Sequence, residues 1–528
     1  MKILSLFRNK RLAWDPDTFP LPWDTGRPSI YRFIKDNGDD AELPDKAIYF
    51  SKTEISWVGG AVDHVVQPDS GPARAKAWGI YSALKAALAR PSADSLKLLY
   101  DTMTQHAAIE YIDSLAGFSA WELDSGKLQD LMRWLASNAP DREVVKAAIA
   151  LLGSKRNPEN IGLFRSFSRH DEFALFANVA LTNTLDDPEM EIWEVAKHLN
   201  GWGKIDAVSR LSNTKNPDIK SWLLRHGCAN SIMHEYLAYT CATAGNLIEA
   251  LSAETIDEEL LSGASDIIDA LFAGGPAEDM FDYPDGAEAV RLFVSHMGRD
   301  GLSLAQCAAL VRIAEFLAVE ESDWDRQPGW SPQARQAILH HVSAILQRQP
   351  LAALADPWLL TDDHFRFYHA ITLARHLDMD IWQIYLNRQL AGHNSWYFLM
   401  RTDDPERIDR VLDLARSQLA FDDVATGPQL EIIGHGKKYE THAAFDYIVQ
   451  DLRRFPGKGW DFVEASLQSP LIRNRNMALK ALEAWGRQNW PVDAEARLSA
   501  ACEIEPHPDV KAAIGRLLAG QDIRREDG

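Results

Sequence analysis

NPENIGLFRSFSRHDEFALFANVALTNTLDDPEMEIWEVAKHLNGWGKIDAVSRLSNTKNPD, residues 157–218, holds the pattern that decides the fold. Three tripeptides in it share one grammar: Asn157-Pro158-Glu159, Asp187-Pro188-Glu189 and Asn216-Pro217-Asp218. The first residue carries a short polar side chain that caps free amides. The second is a proline with φ already set for a first helical turn, and the third an acid favoured by the helix dipole. Each tripeptide therefore starts a helix. The prolines stand 30 and then 29 residues apart, which suits one helix–turn–helix repeat and is too close for a globular domain. Asp404-Pro405-Glu406 and His507-Pro508-Asp509 repeat the grammar downstream, His507 being the poorer cap.

Between such starts the apolar residues fall at helical spacing. Val144, Val145, Ala148, Ile149 and Leu152 make one stripe; Phe173, Phe176, Ala177, Ala180 and Thr184 make another. Ile192, Val195, Ala196 and Leu199 continue it, and so do Ile408, Val411, Leu412, Ala415 and Leu419. Helices of about three turns are marginal in isolation, so each is expected to bury its stripe on a neighbour. Strand signals are scarce. An Ala- and Leu-rich run opens at Ala73, whereas Trp14 to Asp45 is interrupted by Pro16, Pro20, Pro22, Pro28 and Pro44. Proline at that density predicts an extended N-terminal arm. The expected fold is all-α: an α-solenoid, or superhelix, of HEAT-like antiparallel helix pairs. Its parts are an arm and cap over 1–70, repeats over 71–330, and C-terminal repeats over 331–528. Gly274 to Gly286 is a Gly-, Pro- and Asp-rich interruption that reads as a loop insertion or a hinge.

Composition narrows the class of function. A chain of 528 residues is too long for one ordinary core. No apolar stretch has the length of a membrane helix, and Arg8 ends the short apolar run Ile3–Phe7, so neither a signal peptide nor a span is read. Cys228, Cys241, Cys307 and Cys502 are far apart and form no CxxC pair, which speaks against a zinc site or a disulfide framework and for a reducing cytoplasm. A net charge of −21 opposes nonspecific attraction to nucleic acid.

Residues 201–242, GWGKIDAVSRLSNTKNPDIKSWLLRHGCANSIMHEYLAYTCA, and 455–485, FPGKGWDFVEASLQSPLIRNRNMALKALEAW, resemble bacterial HEAT-repeat proteins of unsettled role. Some of those carry the label limonene hydroxylase. IYFSKTEISWVGGAVDHV, residues 48–65, is similar as well. The resemblance implies a superhelix of paired helices and brings no established active site.

A hydroxylase needs a redox cofactor, and the sequence offers no GxGxxG after a strand, no glutamate followed three residues on by histidine, no HxxxH and no HExxH. The Gly-Lys pairs at Gly126, Gly203, Gly436 and Gly457 lack the Ser or Thr of a phosphate loop. Four histidines have an acid four residues on: His106 with Glu110, His296 with Asp300, His376 with Asp380, and His442 with Asp446. Among 16 histidines in an acid-rich chain such spacings arise by chance. No catalytic residue, metal site or cofactor is assigned.

Two surfaces stand out. Residues 250–325 hold 17 acids against Arg291, Arg299 and Arg312, and end in the group Glu320, Glu321, Asp323, Trp324, Asp325 with Trp330 beyond. This is either a solvated acidic rim, its tryptophans packed on their own helices, or a docking surface for a basic protein anchored by tryptophan. Residues 435–487 are locally basic, nine cations against six acids. There Lys437, Lys438, Lys458, Trp460, Arg473, Asn474, Arg475 and Asn476 offer an anion-binding patch, or cations that bridge adjacent helices. The leading expectation is a non-catalytic protein-binding scaffold that uses an extended solenoid surface and sequesters or neutralises a basic bacterial protein such as a toxin. The alternatives are an enzyme, either a hydroxylase or a HEAT-like nucleic-acid enzyme using 435–487. Oligomeric state is not legible.

Overall fold

Asn157, Asp187, Asn216 and Asp404 all act as caps in the computed structural model. Their side-chain oxygens accept from the amides of Glu159 (3.1 Å), Glu189 (3.4 Å), Asp218 (2.9 Å) and Glu406 (2.9 Å). His507 makes no such bond. The structure describes residues 15–45, 58–65, 70–298, 301–319, 324, 329–430, 434 and 437–523, without the side chains of 70, 119–122 and 437. Helix makes up 69% of the described residues and no strand occurs among them, so the fold is all-α.

These residues group into two compact units, the first ending at Arg348 and the second beginning at Gln349. In the first, helix packs on helix in chain order: Ser125–Asn138 on Arg142–Gly153, that helix on Asp171–Thr184, and Asp171–Thr184 on Trp202–Ser209. The succession continues through Glu235–Gly245, Glu258–Ala273, Leu304–Leu317 and Pro332–Leu346. In the second unit Glu440–Leu452 packs on Ile472–Trp485, and the latter on Pro508–Leu518, around a core that includes Phe445, Phe462, Leu479 and Trp485.

The proline-rich stretch differs from the expected extended arm. Ser29 caps a helix over Ile30–Asn37, its hydroxyl accepting from the Arg32 amide. Pro28 lies just before that cap, where it obstructs no helical hydrogen bond. The stretch is docked: Phe19 meets Trp134 edge-on, Trp23 lies against Trp134 and Tyr100, and Arg27 pairs with Asp141 at 2.6 Å.

The Pro217–Trp222 helix runs into a π-helical turn, Leu223–Gly227. A wider turn misplaces carbonyls that would otherwise bond along the helix. Lys204 reaches two of those that follow, donating from Nζ to His226 O at 2.9 Å and Ala229 O at 2.5 Å. Burial lowers its pKa. The crossing helix Glu258–Ala273 approaches so closely that a Cβ at Gly263 would sit 2.1 Å from Leu224 O.

Candidate functional site

The acidic stretch folds outward for a simple reason. In the Gly274–Asp285 loop Met280 and Tyr283 turn inward, 1% and 3% exposed, and the Met280 amide donates to Leu271 O. That pinning leaves Glu278, Asp282 and Asp285 exposed and Asp279 half-buried. Asp279 accepts from the Phe281 amide and Asp282 from the Asp279 amide, so both shape the loop. None of the four forms an ion pair among the described residues, nor do exposed Glu254 and Glu315. Other acids of the stretch are engaged: Asp257 and Glu259 with Arg225, Glu288 with Arg291, and Asp269 with Arg312. Asp266 has its pKa pushed up to about 7 by burial and by neighbouring Asp269.

The tryptophans of this stretch face inward. Trp330 is 2% exposed and Trp324 9%, and they pack with Phe281 and Phe316. The Arg335 guanidinium covers Trp324 at 4.2 Å. Neither ring is presented as an anchor for a partner. Glu320, Glu321, Asp323 and Asp325 lie outside the described residues, as does the Lys437 side chain.

Much of the expected anion patch is engaged within the second unit. Arg475, 1% exposed on its side chain, pairs with Glu505 at 2.8 Å and donates to Ser469 O and Gln429 O. Asn474 is fully buried and donates to His442 O and Asp446 Oδ1. Arg473 pairs with Asp446, and Lys458 with Asp409 at 2.5 Å. Trp460 packs half-buried against the core, Lys438 is exposed beside the Tyr439 ring, and Asn476 is half-buried. Arg473 thus joins the Ile472–Trp485 helix to Glu440–Leu452, and buried Arg475 has the partner that burial of a charge requires. Of the histidine–acid spacings, His296 has its Nε2 2.8 Å from Leu251 O while Asp300 lies outside the described residues, and neither ring nitrogen of His442 has a hydrogen-bond partner among the described residues.

A charge cluster that the helical stripes concealed lies inside the first unit. Lys146, 0% exposed, directs its ammonium at three carboxylates: Asp63 at 2.7 Å, Glu172 at 2.7 Å and Glu143 at 3.3 Å. Arg142 adds Glu172 at 3.4 Å and Asp45 at 3.1 Å, and its backbone amide donates to Asp45 Oδ2. Backbone amides complete the shell, Gly60 donating to Glu172 and Ala108 to Glu143. Gly60 has φ +78°, and a Cβ there would lie 2.6 Å from Asp171 O, so the approach requires glycine. His64 stacks on Trp202 beside it.

Burial alone lowers the Lys146 pKa, but Glu143, Glu172 and Asp63 outweigh it and hold the value well above the ordinary lysine one. Burial raises Asp63 and Glu143, with Lys146 opposing in each case. For Glu172 burial is overcome by Lys146 and Arg142, which bring it down to about 2. Four carboxylates face two cations in a site whose Lys146 and Asp63 side chains are 0% and 1% exposed. The arrangement ties residues 45 and 58–65 to the starts of the Arg142–Gly153 and Asp171–Thr184 helices.

The Arg142–Gly153 helix shows why the pattern was missed. Val144, Val145 and Ala148 gave a stripe, which implies a wet opposite face, yet Glu143 and Lys146 on that face are buried too. The available signal was REVVKAAIALLG itself, too apolar for one solvated side.

No protein-family model, no curated protein and no solved structure matches the chain. Among the described residues no helix is long and apolar enough to cross a membrane.

Proposed function

We propose that the chain is a non-catalytic protein-binding scaffold of HEAT-like helix pairs, and that its acidic stretch 250–325 recruits a basic protein and sequesters it. The observation that carries this reading is the outward set Glu254, Glu278, Asp279, Asp282, Asp285 and Glu315, without ion pairs among the described residues. Like charges held close repel one another, and a cationic partner relieves that repulsion while the field speeds its encounter. The order in which helices pack supports stacked pairs within each unit, since from Ser125–Asn138 to Pro332–Leu346 each helix in the succession packs on one that follows closely in sequence. The likeness of residues 201–242 and 455–485 to HEAT-repeat proteins points the same way.

The test compares two tagged chains incubated with cell lysate at low salt: the natural one, and one carrying Glu254→Gln, Glu278→Gln, Asp282→Asn and Asp285→Asn. The natural chain should retain a basic protein in near-stoichiometric amount and release it as salt rises, and the neutralised chain should not retain it. Identical captures by both chains, or none by either, would sink the reading.

A further inference from the structure

The acidic loop leads directly into an apolar recess in the first unit. Between the Gly286–His296 and Pro332–Leu346 helices the facing residues Ala287, Ala334 and Ala337 are small, and a half-open hollow of about 310 Å³ results. Val294 and Ile338, 1% and 5% exposed, close its inner side. That volume sits at the lower end of ligand pockets, about 300–1,000 Å³, and suits one or two large apolar side chains. Asp285 stands at the N-cap position of the same helix that contributes Ala287, with no capping bond from its side chain, so loop and hollow lie within one turn of each other.

The charge beside the hollow is one-sided. Residues 276–291 hold Glu278, Asp279, Asp282, Asp285 and Glu288 against Arg291 alone. Arg291 is held by Glu288 through two short bonds, at 2.6 and 2.7 Å, and so does not offset the loop. A nucleic acid or an anionic lipid surface would meet repulsion here. A second copy of this chain, with a net charge of −21, would also meet it.

We propose that the hollow seats an apolar side chain of a basic, helix-forming protein segment, whose lysines or arginines lie on the carboxylates of the Gly274–Asp285 loop. A groove between two helices receives a third helix through apolar residues three or four apart, and flanking charge sets its register. The proposal rests on the reading of the acidic stretch as a recruiting surface and specifies how the partner is gripped.

The probe is a fluorescein-labelled amphipathic peptide with leucine at helical spacing and lysine elsewhere, titrated with the full chain and followed by anisotropy. Ala337 is exposed, so Ala337→Trp fills the hollow without entering the core; Ala337→Ser leaves it open. Expected are binding to the natural chain that weakens with salt, a loss of about tenfold for Ala337→Trp, and no change for Ala337→Ser. Asp282→Asn with Asp285→Asn should weaken binding as well. Natural affinity in Ala337→Trp overturns the hollow; if the loop variant still binds weakly, the recruiting surface stands without it. Loss in Ala337→Trp with full affinity in the loop variant overturns the basic occupant, as does tighter binding of single-stranded RNA or of phosphatidylserine vesicles than of the peptide. Absence of peptide binding to the natural chain overturns the proposal outright. Circular dichroism of each variant must match the natural chain for a loss to count in its favour.

Discussion

Replacing Lys146 by methionine keeps the length of the side chain and removes the one ammonium that three buried carboxylates share. Holding Glu172 at about 2 instead of its usual 4.5 corresponds to about 3 kcal/mol of attraction, at about 1.4 kcal/mol per pKa unit, with Arg142 contributing a share. Breaking a buried ion pair from one side costs about 3–5 kcal/mol, because the partner charge stays buried. The two routes agree on a loss of roughly 3 kcal/mol or more for Lys146→Met. It should be read locally, by hydrogen exchange of the Arg142–Gly153 amides, since the two units need not unfold together. The pH dependence has a definite sign. Lys146 lowers all three carboxyl pKa values, so its loss raises each of them, Asp63 and Glu143 further above their unfolded values; the folded variant then binds more protons than the natural chain. The deficit against the natural chain should therefore be smaller near pH 4 than near pH 8. Neutralising the carboxylates as well, in Lys146→Met with Asp63→Asn and Glu172→Gln, should restore much of the loss. A change in protection below about 1 kcal/mol, the size of an exposed pair, would refute the account.

Two further outcomes follow from buried charge elsewhere. Asp266, raised to about 7 by burial and Asp269, keeps its proton in the folded chain over a range where the unfolded chain has lost it. Stability should thus drain away between the unfolded value, 3.8, and about 7, and Asp266→Asn should melt increasingly above the natural chain as pH rises through that window in a thermal scan. In the second unit Arg475→Met strands Glu505 and two carbonyls, and a cost of about 3–5 kcal/mol is expected in urea unfolding; lysine should rescue little, lacking the planar fork. Full stability of Arg475→Lys would count against that geometry.

The sequence by itself determined the all-α class and the helix starts, because capping and helical periodicity are local: Asn157, Asp187, Asn216 and Asp404 need only their own next residues. It also located the acidic stretch, charge being additive along a chain. Side-chain destinations were decided by tertiary packing. Trp324 and Trp330 looked like anchors, and neighbouring rings buried them; Arg475 looked like an anion ligand, and Glu505, 30 residues on, took it. Lys146 and Glu143 lie off the apolar stripe that the spacing picks out, and residues 58–65 and the Asp171–Thr184 helix bury them. Desolvation is the physical reason, since a charge's environment is set by groups distant in sequence, and no spacing rule announces which segment will cover it.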